Sequence, residues 1–168
     1  MRQLIVRCDL SIMNCIYKRR KQWINTVMKL ITISGNAGFI WFLIAFLFVL
    51  FKKYKIAVAL LLSLTIFVLL GNILLKNLIR RKRPFQVQSY KTIIRKPCDY
   101  SFPSGHAYSS FAAATVLICC CGIWAIPAVL LALAIAFSRI YFCVHYPSDI
   151  VCSLLLGIGT GILSYIIL

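Results

Sequence analysis

Apolar residues run almost unbroken through five stretches of the chain, at 30–51, 56–75, 107–123, 127–142 and 150–168. Clusters of charge, proline or glycine separate them. A membrane-crossing helix needs about 20 such residues, so the pattern predicts an all-α, integral-membrane helical bundle of about five transmembrane helices. Lys52, Lys53 and Lys55 leave room only for a tight turn between the first two runs. Those helices should be antiparallel neighbours. In the last run Gly157 and Gly161 have G-x-x-x-G spacing, a feature of close helix packing in membranes.

Two segments break the pattern. In residues 1–29 short apolar clusters alternate with Arg2, Arg7, Lys18, Arg19, Arg20, Lys21 and Lys29, and none is long enough to span. The expected form is an N-terminal interfacial amphipathic helix, apolar side in lipid and basic side on headgroups. Arg7 and Asp9 also interrupt the apolar pattern of a signal peptide. A transmembrane domain is expected over 30–168, carrying one basic loop at 76–103. That loop contains Lys76, Arg80, Arg81, Lys82, Arg83, Lys91, Arg95 and Lys96.

Composition sharpens this picture. Of 168 residues, 62% are hydrophobic, and 19 Lys and Arg face three acids, Asp9, Asp99 and Asp149. So basic a chain suits an anionic partner, either membrane headgroups or an acidic substrate. The apolar runs argue against nucleic acid. The eight cysteines lie mostly inside apolar runs and show no C-x-x-C pair, which reads as hydrophobic filler. No sign of an oligomeric state is visible.

Polar groups at the ends of membrane helices are costly and tend to be functional. Three clusters stand out. Lys76 and Arg83, seven residues apart, would share a face with Arg80 if the second helix continued past Leu75 and ended at Pro84. Arg81 and Lys82 read as an ordinary positive flank. The second cluster is Pro103-Ser104-Gly105-His106, at the start of the third span. Ser104 suits an N-cap, and a helix start with an uncovered glycine amide attracts anions. The third cluster places Arg139 near the end of the fourth span and His145 six residues later, with Asp149 four residues beyond that. Asp149 is spaced to accept from one imidazole nitrogen and fix the tautomer, freeing the other as base or nucleophile.

Two helix starts, two histidines and the cations Lys76, Arg83 and Arg139 would suit an anion with several oxygens. They would repel a metal dication, so no metal and no cofactor is expected; zinc on His106, His145 and Asp149 is the lesser reading. In phosphoryl transfer His145 would attack phosphorus, and His106 would protonate the departing oxygen and then activate water. Ser104, the Gly105 amide and the three cations would hold the phosphate. Two other readings compete. Ser104 could be the nucleophile of an intramembrane serine hydrolase with His145 as base, or the basic loop could simply bind anionic lipid.

At these residues the chain resembles the type 2 phosphatidic acid phosphatase family. The family's three motifs read here as KNLIRRKRP at 76–84, PSGH at 103–106 and SRIYFCVHYPSD at 138–149, with every fixed position matched. The resemblance implies a metal-independent phosphatase with His145 as nucleophile, Asp149 orienting it and His106 as acid. Lys76, Arg83, Ser104, Gly105 and Arg139 match phosphate-binding positions. It further implies a lipid phosphate or diphosphate substrate, such as undecaprenyl diphosphate, phosphatidylglycerol phosphate or phosphatidic acid, met at the membrane–water interface of a plasma membrane. Members commonly have six spans where this chain shows five. Many work on the extracytoplasmic face, whereas seven basic residues in the N-terminal segment against three in the first turn favour a cytoplasmic N-terminus. The sequence leaves the side of the site open.

Overall fold

In lipid each backbone polar group must be satisfied within its own segment, and the apolar runs accordingly fold as helices. The computed structural model describes residues 2–168; residue 1 of the expected N-terminal segment lies outside them. In chain order the helices are α1 (Arg2–Lys18), α2 (Gln22–Ser34), α3 (Phe39–Leu50), α4 (Tyr54–Ile66), α5 (Lys76–Ile79), α6 (Pro84–Val87), α7 (Gly105–Cys121), α8 (Ile126–Tyr141) and α9 (Pro147–Ile166). A π-helical stretch, Phe67–Leu75, joins α4 to α5, and 3-10 turns join α2 to α3 and α7 to α8.

Among the described residues three helical stretches are long and apolar enough to cross a bilayer: Tyr54–Val87, Gly105–Tyr141 and Pro147–Ile166. The bent pair Gln22–Ser34 and Asn36–Leu50 forms a fourth, with an angle of 45° at the break. Gly105–Tyr141 itself divides where Gly122 takes a φ of 57°, and α8 folds back along α7. The five apolar runs thus correspond to α2–α3, α4 with its π-helical extension, α7, α8 and α9.

Helix α7 lies at the centre, packed by α4, α8 and α9. Trp41, Leu60, Leu64, Phe111, Val116 and Ile135 fill the bundle. Phe42, Phe46, Leu69, Leu130 and Leu155 point outward, as lipid-facing side chains should. The glycines of α9 do what their spacing implies: a Cβ on Gly157 would fall 2.7 Å from Cβ of Phe111, and one on Gly161 2.6 Å from Cβ of Thr115. Only glycine permits so close an approach to α7.

Three expectations change. The boundary between residues 29 and 30 falls inside α2, because the chain stays helical from Gln22 to Ser34. Helix α5 stops at Ile79, where Arg80 takes a left-handed φ of 49°. Lys76 and Arg83 therefore share no helical face, and Pro84 opens α6 instead of closing the helix before it. Lastly, the first span is not straight. Ala37 (φ 51°) and Gly38 (φ 72°) break it, and the break lies beside His106 of the second cluster of polar residues.

Helix α1 is more than a surface float. It leaves Leu4, Ile5, Val6 and Ile12 exposed, a face suited to the lipid boundary, yet it buries Asp9 and Met13. Met13 packs with Cys143 and Tyr146 of the α8–α9 connection. Arg20, just beyond α1, donates to the backbone oxygens of Lys91 and Tyr141. The N-terminal segment thus braces the loop that carries His145.

Candidate active site

The three polar clusters meet at one end of the bundle because each lies at a helix terminus on that end. Lys76 opens α5, His106 is the second residue of α7, Arg139 stands in the last turn of α8, and Asp149 is the third residue of α9. Lys76, Arg83, Gly105, His106, Arg139 and His145 all line one cavity of about 350 Å³. The segments that supply them are up to 69 residues apart in sequence (76 to 145).

The cations are held differently from one another. Arg83 is almost fully buried and spreads its guanidinium over three partners. Nε donates to the Asp99 carbonyl (2.8 Å), Nη2 to the Asp99 carboxylate (2.5 Å), and Nη1 to the Val144 carbonyl (2.8 Å). Nη1 also lies 3.0 Å from Nε2 of His145. Lys76 pairs with the other carboxylate oxygen of Asp99. Asp99 itself is half exposed. Partial burial opposes its ionisation, but Lys76 and Arg83 outweigh that and hold its carboxyl at about 2. Arg139 donates one Nη to Thr32 of α2, while its Nε is buried without a partner.

The imidazole of His145 is buried and set by the backbone. Its Nδ1 lies 2.6 Å from the carbonyl oxygen of Ser101, so that nitrogen carries the proton and Nε2 keeps its lone pair toward Arg83. Asp149 was expected to take this contact. Its nearest oxygen is 3.8 Å from Nδ1, too long for a hydrogen bond. Asp149 instead accepts from Ser101 Oγ (2.5 Å) and from the backbone amide of Tyr146 (3.1 Å), and so supports the two segments that fix the ring. Burial lowers the pKa of His145 most strongly; the Asp149 carboxylate opposes this, Arg83 and Arg139 add to it, and the ring ends at about 4. At neutral pH this imidazole is uncharged.

His106 lines the same cavity. Its Nε2 meets Oδ1 of Asn36 at 2.9 Å. Asn36 is presented by the break between α2 and α3, where a Cβ on Gly35 would lie 3.1 Å from Cδ2 of His106. The kink in the first span is thus shaped around this histidine. Gly105 also lines the cavity. Ser104, expected as an N-cap, occupies that position without a side-chain capping bond. Its amide donates to Ser153 Oγ (2.9 Å), and its own Oγ is buried with no partner. No base is in hydrogen-bond reach of that hydroxyl, as a serine nucleophile would require.

Sequence reasoning missed six residues here: Asp9, Thr32, Asn36, Arg81, Asp99 and Ser101. Arg81 is not a plain positive flank. It bridges Asp149 (2.6 Å) and Asp9 (2.8 Å), and its guanidinium lies 3.9 Å above the Tyr146 ring. Asp9 in turn accepts from the amide and hydroxyl of Ser148 (2.9 and 2.6 Å). One signal was available: the chain has three acids, and each is paired with an arginine of the 76–84 segment. Thr32, Asn36 and Ser101 left no comparable trace.

A sequence model of the PAP2 superfamily matches residues 56–168, which include all three clusters. The chain belongs to the PAP2 superfamily. Among PAP2 relatives, a protein named undecaprenyl-diphosphatase from Sulfolobus acidocaldarius is 33% identical over 129 residues, covering 75% of this chain and 62% of that one. A decaprenylphosphoryl-5-phosphoribose phosphatase from Mycobacterium tuberculosis is 39% identical over 89 residues, covering 53% and 49% respectively. The chain therefore matches from just under half to a little over three fifths of the length of these relatives. Two solved structures share the PAP2 fold. Aquifex aeolicus LpxE superposes with a TM-score of 0.82 at 28% identity, covering 92% of this chain and 93% of that one. A transmembrane PAP2 type phosphatidylglycerolphosphate phosphatase from Bacillus subtilis gives 0.81 at 24% identity, covering 96% and 84%.

Proposed function

We propose that this PAP2 protein is an integral-membrane, metal-independent phosphatase acting on a lipid phosphate or diphosphate at the membrane–water interface of a plasma membrane. One observation carries the reading. A neutral buried histidine, a second histidine and three cations line a single small cavity at one end of a lipid-embedded bundle. The names of the relatives point the same way: undecaprenyl-diphosphatase, and a phosphatase of a decaprenyl-linked sugar phosphate.

In this reading Nε2 of His145 attacks phosphorus: Nδ1 donates to the Ser101 carbonyl and leaves Nε2 unprotonated, and Arg83, whose Nη1 stands 3.0 Å from Nε2, turns that donor to the phosphoryl oxygens. Lys76, Arg83, Arg139 and the Gly105 amide neutralise the phosphoryl oxygens as charge builds on them. Ser104 and Asp149 stand behind the cavity and hold its walls. His106 gives a proton to the departing oxygen. It then takes one from the water that splits the phosphohistidine, which returns His145 and releases inorganic phosphate.

The test is phosphate release by the purified chain from prenyl diphosphates, phosphatidic acid and phosphatidylglycerol phosphate, with EDTA present throughout. Release should persist with the chelator and fall by about 10³-fold or more in His145→Ala, which also loses the acid-labile phosphoenzyme trapped by rapid quench. Undiminished turnover in that variant would remove the phosphohistidine step.

A further inference from the structure

Resting on the phosphatase reading, we propose that Lys29, Arg95 and Lys96 form a subsite for a second phosphate on the leaving group, so that the preferred substrate is a lipid diphosphate. A second, larger cavity of about 630 Å³ adjoins the first. The two share His106 and Arg139, but His145, Lys76 and Arg83 line only the smaller one. The transferred phosphoryl group belongs beside His145. Because His106 protonates the leaving oxygen, the rest of the leaving group lies on the far side of His106, in the larger cavity.

The lining of that cavity decides what the leaving group should carry. Lys29 comes from α2, and Arg95 and Lys96 from the loop before α7; no carboxylate stands among the lining residues. The buried Arg139, with its Nε unpartnered, completes a set of four positive charges. An alcohol leaving from a phosphate monoester brings no charge to meet them. A lipid monophosphate leaving from a diphosphate brings up to two. As the N–P bond to His145 forms, the bond from the terminal phosphorus to the bridging oxygen breaks. That oxygen takes the His106 proton, and the departing lipid monophosphate is stabilised where its charge appears. Water then cleaves the phosphohistidine to give inorganic phosphate.

The experiment compares a prenyl diphosphate with the prenyl monophosphate of the same chain length, using the purified full chain in detergent with EDTA. In wild type kcat/KM should favour the diphosphate. In Lys29→Gln/Arg95→Gln/Lys96→Gln the ratio of the two kcat/KM values should fall at least about tenfold. The charge-keeping exchange Lys29→Arg/Arg95→Lys/Lys96→Arg should restore most of it, and Lys53→Gln in the α3–α4 turn should leave the ratio alone. An unchanged ratio in the triple variant, or wild-type preference for the monophosphate, overturns the proposal while leaving the phosphatase reading intact. Inhibition by inorganic phosphate separates a lipid-borne phosphate from free product: if its Ki weakens by the same factor as the ratio, the cavity is a product site and the proposal falls. Wild-type protein that cleaves neither lipid would bring down both readings together.

Discussion

His145 is oriented by a carbonyl and not by a carboxylate: its Nδ1 lies 2.6 Å from the oxygen of Ser101 and 3.8 Å from Asp149. Asp149 reaches the ring indirectly, through the Ser101 hydroxyl and the Tyr146 amide. Ser101→Ala keeps the carbonyl but cuts its tie to Asp149, and kcat should fall by about tenfold with little change in KM. Asp149→Asn, which also disturbs the Tyr146 amide and Arg81, should cost about 100-fold or more. Single-turnover measurements of phosphoenzyme formation check both. If Ser101→Ala reacts at the wild-type rate, the indirect support has no catalytic weight.

The buried carboxylate of Asp9 ties the N-terminal helix to the same centre through Arg81. Removing one partner of a buried ion pair leaves the other uncompensated, at a cost of about 3 kcal/mol. Asp9→Asn and Arg81→Gln should each lower stability by that order and reduce kcat, because Asp149 loses its brace in either case. Their effects should not add. A double-mutant cycle read by thermal unfolding and by kcat is expected to give a coupling energy of about 1–3 kcal/mol. Additive effects would mean that α1 and Asp149 are independent.

Burial holds His145 near 4, whereas in an unfolded chain it would titrate at about 6.5. As pH falls below 6.5 the unfolded form takes up a proton that the folded form refuses. This group therefore removes stability progressively between about 6.5 and 4, and contributes no pH dependence above that window. NMR of imidazole-labelled protein should find the His145 ring, assigned by its absence in His145→Gln, neutral at pH 5. His145→Gln should flatten the loss of stability across the same interval. A His145 titration at 6–7 would contradict the burial argument.

Five apolar runs, their helical state and the convergence of His106, His145, Lys76, Arg83 and Arg139 were all readable from the sequence, because each depends on composition or on motif spacing. The details that failed are those that need the third dimension. Spacing put Asp149 within reach of His145, but Ser101, 44 residues earlier, fills the position first. Likewise Arg81 looked like a flank until α1 delivered Asp9 to it. The kink at Ala37 and Gly38 was invisible because the run 30–51 is apolar on both sides of it. Its polar member, Asn36, acquires meaning only where α7 brings His106 alongside.

Asp99 occupies Lys76 and Arg83 with a carboxylate, the two cations assigned to the substrate's phosphoryl oxygens. It is half exposed and, held at about 2 by those cations, remains charged throughout the working pH range. A phosphate entering the cavity must share its cations with that carboxylate or displace it. Replacing Asp99 with asparagine keeps the shape and removes the competing charge. Asp99→Asn should therefore bind orthovanadate and inorganic phosphate about three- to tenfold more tightly, equivalent to roughly 0.7–1.4 kcal/mol. The KM for lipid substrate should fall by a similar factor, and slower product release should keep kcat from rising. Inhibition constants measured at two ionic strengths check the cause, since the difference between variant and wild type should shrink as salt screens a half-exposed site. Weaker vanadate binding in the variant would show the opposite role for Asp99: holding Lys76 and Arg83 in place for the anion they receive.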